Sequence, residues 1–97
     1  MFDPKDPQET ITLAFDYSAI GDVVTNPVVT IKVVSGIDTD PSAMLSGLPQ
    51  ISDDNIVLQK VIGGISGCKY KFRCLATVLG NKALVEEILP VQTGCFE

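Results

Sequence analysis

Glu9 to Tyr17 alternates without a break, with Ile11, Leu13, Phe15 and Tyr17 on one side of an extended chain and Thr10, Thr12, Ala14 and Asp16 on the other. Successive side chains of a strand point to opposite faces, so this period of two predicts a half-buried strand. The same period runs through Lys69 to Val78: Tyr70, Phe72, Cys74, Ala76 and Val78 share one face, and Lys69, Lys71, Arg73 and Thr77 share the other. Leu75 alone breaks the outward set. Val28 to Ser35 is nearly all β-branched and places Val29, Ile31 and Val33 together, while Asn55 to Ile62 turns Val57 and Val61 inward and Lys60 out. That phase also buries Gln59, which then needs a polar partner.

Between these runs the chain is punctuated. Gly21-Asp22 and Asn26-Pro27 are turn formers, with Val23-Val24-Thr25 between them as a short edge-strand candidate. Residues 37 to 54 mix acids, serines and prolines and predict short strands or turns crossing between sheets. Leu79-Gly80-Asn81-Lys82 predicts a tight hairpin with Gly80-Asn81 at its centre. That register sets Tyr70 opposite Val91, Phe72 opposite Leu89, Ala76 opposite Val85 and Val78 opposite Ala83. It also sets Glu87 opposite Cys74, so a bulge at Glu86-Glu87 is expected to turn the carboxylate outward. The alternative, a helix from Lys82 to Leu89 capped by Asn81 and stopped by Pro90, forfeits the matched faces.

Gly63-Gly64-Ile65-Ser66-Gly67 leads directly into the Tyr70 strand. A tyrosine just after a glycine-containing corner resembles the tyrosine corner of immunoglobulin-like domains, in which the ring is buried and the hydroxyl bonds nearby backbone. Gly63, Gly64, Gly67, Tyr70, Phe72 and Cys74 are therefore expected to be structural. The expected fold is all-β, an antiparallel immunoglobulin-like sandwich of about seven strands occupying residues 9–97. An extended arm over residues 1–8 precedes it.

At 97 residues the chain makes one domain, with a core that buries roughly 60 to 70 percent of the unfolded surface. A net charge of −5 opposes attraction to nucleic acid and to anionic membranes, so neither is an expected partner. The start of the chain lacks the basic and apolar regions of a secretory signal, and no apolar run approaches membrane-spanning length; a soluble protein is expected. Three cysteines do not make a disulfide framework. Cys68 and Cys74 on one strand would stand about 20 Å apart, beyond disulfide reach. Cys74 is expected to be a small core residue; a register that sets residue 68 opposite residue 93 brings Cys95 near enough to Cys68 for a disulfide to be conceivable, with a reduced thiol the expectation.

The chain contains no histidine, the commonest general base and metal ligand, so an enzyme is not expected. Asp53-Asp54 and Glu86-Glu87 are not convergent pairs, because neighbours on a strand face opposite ways. Asp38, Asp40, Asp53 and Asp54 would offer oxygen ligands to calcium only if their loops met, and the simpler reading is that they cap turns. No cofactor or metal is expected. The glycine-rich corner lacks the Lys-Ser/Thr pair and the helix of a phosphate loop. Lys69, Lys71 and Arg73 form an outward basic row, with Lys60 expected near it, suited to solvent or to an acidic partner.

Lys5-Asp6-Pro7, the run Leu13-Ala14-Phe15-Asp16-Tyr17-Ser18, Gly21-Asp22, the run from Gln59 through Gly63-Gly64-Ile65-Ser66-Gly67 to Tyr70, and Leu89-Pro90-Val91 together resemble the small phage proteins known as fiber-tail adaptors. The pieces span nearly the whole chain in order. Members of that family tend to carry an aromatic residue near the position of Lys60 and a threonine-like one where Cys68 stands. The resemblance implies a non-enzymatic virion structural protein, present in multiple copies at the tail or neck and joining the tail to fibers. Its partners would be other virion proteins, and its assembly would take place in the host cytoplasm. A capsid or neck decoration protein of the same fold is one alternative. A calcium- or carbohydrate-binding adhesive module is another. Contacts are expected from the arm, through Phe2, Pro4, Lys5 and Pro7, and from the sheet face near Lys69, Lys71 and Arg73. Removing residues 1–8 is expected to leave the isolated domain folded.

Overall fold

A computed structural model describes residues 2, 4–20, 23–52 and 55–92, the Ile20 side chain aside. The described residues form six strands: β1 (Ile11–Asp16), β2 (Val24–Ser35), β3 (Leu45–Ile51), β4 (Ile56–Val61), β5 (Lys69–Val78) and β6 (Asn81–Pro90). Short 3-10 helices span Ser18–Ile20 and Pro41–Met44. All strand pairings are antiparallel, in two three-stranded sheets ordered β1-β4-β3 and β2-β5-β6. With one further strand, this is the division of an immunoglobulin-like sandwich, in which the central strand of each sheet, β4 or β5, pairs with one neighbour adjacent in sequence and one distant from it. The expected count of about seven falls to six.

Alternation explains the core. Leu13, Phe15, Tyr17, Val57 and Val61 point from the first sheet toward Val24, Val29, Tyr70, Phe72, Cys74, Ala76, Val78, Leu89 and Val91, and Met44 fills in from its 3-10 helix. The inward faces expected for β1, β4 and β5 are those observed. In β2 the Asn26-Pro27 pair does not separate two strands. Asn26 takes a positive φ of 49° and the register shifts between Thr25 and Val28, so a bulge carries one strand through. Pro27 is tolerated there because β2 lies at a sheet edge, where a missing N–H breaks no inner ladder.

The last hairpin forms, but two residues out of the expected register. Leu79 (φ 50°) and Gly80 (φ 80°) are the central pair, the double positive φ of a type I′ turn. Tyr70 therefore faces Leu89, Phe72 faces Glu87, Cys74 faces Val85 and Ala76 faces Ala83. A slip of two keeps every side chain on its face, so alternation cannot distinguish the two registers. The observed one sets Val85, not Glu87, against the buried Cys74, and the β5–β6 pairing runs without a bulge. Glu87 is half-buried on the edge strand. The helical alternative for residues 82–89 does not occur. Cys68 immediately precedes β5 and bonds with Val91 rather than facing residue 93. Cys68 and Cys74 are free thiols, and Cys95 lies outside the described residues.

The N-terminal arm lies along the end of β6. Phe2 N–H donates to Ile88 O (2.9 Å), Lys5 N–H to Pro90 O (3.0 Å) and Gln92 N–H to Lys5 O (2.9 Å), making a short parallel bridge between Lys5 and Val91. Phe2 packs edge-on against Phe15 with ring centroids 5.7 Å apart. Lys5 is fully buried, and its Nζ donates to the carbonyls of Gly63 (2.7 Å) and Asp6 (2.8 Å). The arm thus closes part of the open edge of β6, packed on the chain's own strand.

Candidate functional site

Two buried polar anchors hold the sandwich on which any binding face is carried. The Tyr70 hydroxyl accepts the Ile65 N–H (2.9 Å), five residues upstream, and donates to Asp38 Oδ2 (2.8 Å). This is the tyrosine corner expected from the sequence. At the other anchor Tyr17, on the first sheet, donates to Cys74 O (2.7 Å), with Ala83 O at 3.2 Å, linking it to β5 and β6. Burial raises both phenols well above the usual tyrosine range, and the Asp38 carboxylate adds to the effect at Tyr70. Burial likewise raises the Cys74 thiol. These groups are bonded inside the protein, out of reach of a substrate.

The glycine-rich corner is structural. A Cβ on Gly64 would stand 3.0 Å from both Met44 Cε and Val91 Cγ2, and its φ of 97° disfavours any side chain. Gly63 supplies the carbonyl that receives Lys5, and Gly67 N–H donates to Val91 O (2.8 Å).

The aspartates mostly organise turns. Asp38 Oδ1 accepts Asp40 N–H (2.9 Å), Asp40 Oδ1 accepts the Ser42 hydroxyl (2.9 Å), and Asp16 Oδ1 accepts Ser18 N–H (2.8 Å). Hydrogen bonds from Ser18, first from its side chain, hold the Asp16 carboxyl below the usual range. Among the described residues no three cysteine, aspartate or glutamate side chains are grouped as metal ligands. Asp53 and Asp54 lie outside the described residues.

The surface with a distinct chemical character is the outer face of β2-β5-β6. Lys69 and Arg73 are exposed and Lys71 half-buried, in the outward row read from the sequence. Register adds Lys32, directly opposite Lys71, and Lys82, opposite Thr77. Five of the chain's seven cations therefore share this face: Lys32, Lys69, Lys71, Arg73 and Lys82. Arg73 Nε pairs with Glu86 Oε2 at 3.0 Å. Lys82 Nζ donates to Thr77 Oγ1 at 3.0 Å. An open depression lined by Lys71, Glu86, Glu87 and Ile88 lies at its β6 side.

Lys60 does not join this row. It sits on β4, opposite Thr12 and Ser46, on the outer face of the other sheet. Of the arm residues proposed for contact, Phe2 is half-buried, Lys5 fully buried, Pro7 half-buried and Pro4 exposed. The arm's backbone bonds go to Ile88, Pro90 and Gln92, the first two standing opposite Lys71 and Lys69 on β5. Sequence reading missed Lys32 and Lys82; the signal was their outward phase in β2 and β6, which becomes one face only when strand order is known.

The two packed antiparallel sheets define an all-β sandwich with one chemically distinctive outer face. No family model, curated protein or solved structure matches the chain. No helix among the described residues is long and apolar enough to cross a membrane.

Proposed function

We propose that this chain is a non-enzymatic structural module of a phage particle, an adaptor at the tail or neck that joins the tail to fibers by binding other virion proteins. The phage setting rests on the resemblance of the Lys5-Asp6-Pro7, Leu13–Ser18 and Gln59–Tyr70 segments to fiber-tail adaptors. The observation that carries the binding reading is the gathering of five of seven cations on the outer face of β2-β5-β6 in a chain of net charge −5. Such segregation favours docking and orientation against an acidic surface. The arm contributes by holding the β6 edge, with Pro4 exposed on it.

The test is quantitative mass spectrometry of particles purified from a host that produces the chain. A fixed copy ratio to the tail proteins is expected, and particles made without the chain should lack fibers. Its absence from purified particles would overturn the proposal. Fibered particles that lack only surface density on the capsid would favour the decoration protein instead.

A further inference from the structure

Building on the reading of the chain as a binding module, we infer that the outer face of β2-β5-β6 receives an acidic protein surface bearing apolar side chains, centred on Leu75. Leu75, the residue that breaks the outward polar set of β5, lies directly opposite Val28 on β2 and Leu84 on β6. The three are 38%, 55% and 43% exposed, so a continuous apolar row crosses all three strands. Single exposed apolar residues are ordinary, whereas an aligned row rimmed by charge marks a contact surface.

The neighbouring rows, about 7 Å apart at strand spacing, carry the charge. One side holds Thr30-Arg73-Glu86, then Lys32-Lys71-Ile88, then Ser35 with Lys69; the other side holds Thr25, Thr77 and Lys82. Lys32 and Lys71 stand directly opposite each other and make no ion pair among the described residues. Like charges so placed repel across the strand pair. Carboxylates on a partner would remove that repulsion, while its apolar side chains cover the Leu75 row. A nucleic acid would leave the apolar row without use and meet a net negative protein. The other sheet of a second copy does not offer such a surface, since on its described strands the only acid is Asp16.

The test is an NMR titration of the 15N-labelled full chain with two peptides, one alternating Leu and Glu and one alternating Leu and Gln. Duplex DNA and a dilution series of the protein alone run alongside. At about 0.15 M salt the Leu-Glu peptide is expected to shift amides of β5 and β6. The Leu-Gln peptide should bind about tenfold more weakly or worse. Equal losses are expected for Leu75→Ser with Leu84→Ser and for Lys32→Glu with Lys71→Glu, the dispersed spectra of these surface variants showing that they fold. Equal binding of the two peptides, shifts confined elsewhere, no shifts, DNA bound on this face, or concentration-dependent shifts there from the protein alone would each overturn the inference. Failure here with the chain still present in particles leaves the adaptor reading standing. Peptide binding by a chain absent from particles removes the adaptor reading alone.

Discussion

The two sheets are built by one rule on the inside and by different rules on the outside. The outer face of β1-β4-β3 carries Thr12, Ala14, Leu58, Ser46 and Gln50 with the single cation Lys60, whereas that of β2-β5-β6 carries five cations around an apolar row. Inward, both alternate toward a shared core. Selection for folding acts on the inward half of each strand, so the outward halves are where partner binding is free to differ. The sheets also close their defects differently. In the first, β3 bulges around Gly47 and Pro49, with the register shifting between Ser46 and Gln50. The buried Gln59 amide answers that gap, donating to Lys60 O (2.9 Å) and Gly47 O (3.3 Å). In the second, the arm covers the end of β6.

The largest effect is expected at the covered edge. Deleting residues 1–8 removes Phe2 from Phe15 and the arm's backbone bonds to Ile88, Pro90 and Gln92. At about 1 kcal/mol for each such contact, the loss is about 2–5 kcal/mol in a urea titration; an unchanged midpoint would show the arm to be dispensable. On the first sheet, Gln59→Leu leaves the Gly47 and Lys60 carbonyls without their donor and is expected to cost about 1–3 kcal/mol. A negligible change would mean that the bulge needs no polar repair.

Tyr70→Phe removes the corner hydroxyl at a cost of about 1 kcal/mol near neutral pH. Its pH dependence sharpens the assignment. A phenol held neutral in the folded state contributes stability that is fully present below the unfolded value of about 10 and declines as pH rises from there toward its raised folded value. Folding stability should therefore fall above about pH 10, and more gently in Tyr70→Phe than in the parent chain; parallel pH profiles would refute the buried-phenol account. Leu79→Asn, at a positive φ that asparagine adopts more readily, should gain about 0.5–1 kcal/mol by thermal melting. Smallest of all, Lys71→Glu should raise stability by about 0.2–0.5 kcal/mol through pairing with Lys32, while Lys60→Glu on the other sheet does nothing comparable. Equal responses would erase the electrostatic contrast between the faces.

The strand faces of β1, β4 and β5, the burial of Gln59 and its need for a partner, and the tyrosine corner were all legible in the sequence. Each follows from the period of two or from the chemistry of one side chain, and both are local. The sequence also marked Leu75 as an apolar residue in an outward row, without showing what it would join. The hairpin register was not legible, because registers two residues apart present the same faces and differ only in which side chains meet across the strands. Nor was the fate of the arm, since Pro4, Lys5 and Pro7 read as solvent-exposed polar chain until the Gly63 carbonyl and the β6 edge are placed beside them. Strand order alone separated Lys60 from Lys71 and brought Lys32 and Lys82 to it. By itself, then, the sequence determined which side of each strand faces the core, because solvation acts residue by residue. The tertiary structure decided which outward residues share a surface, because that depends on pairing between segments far apart in the chain.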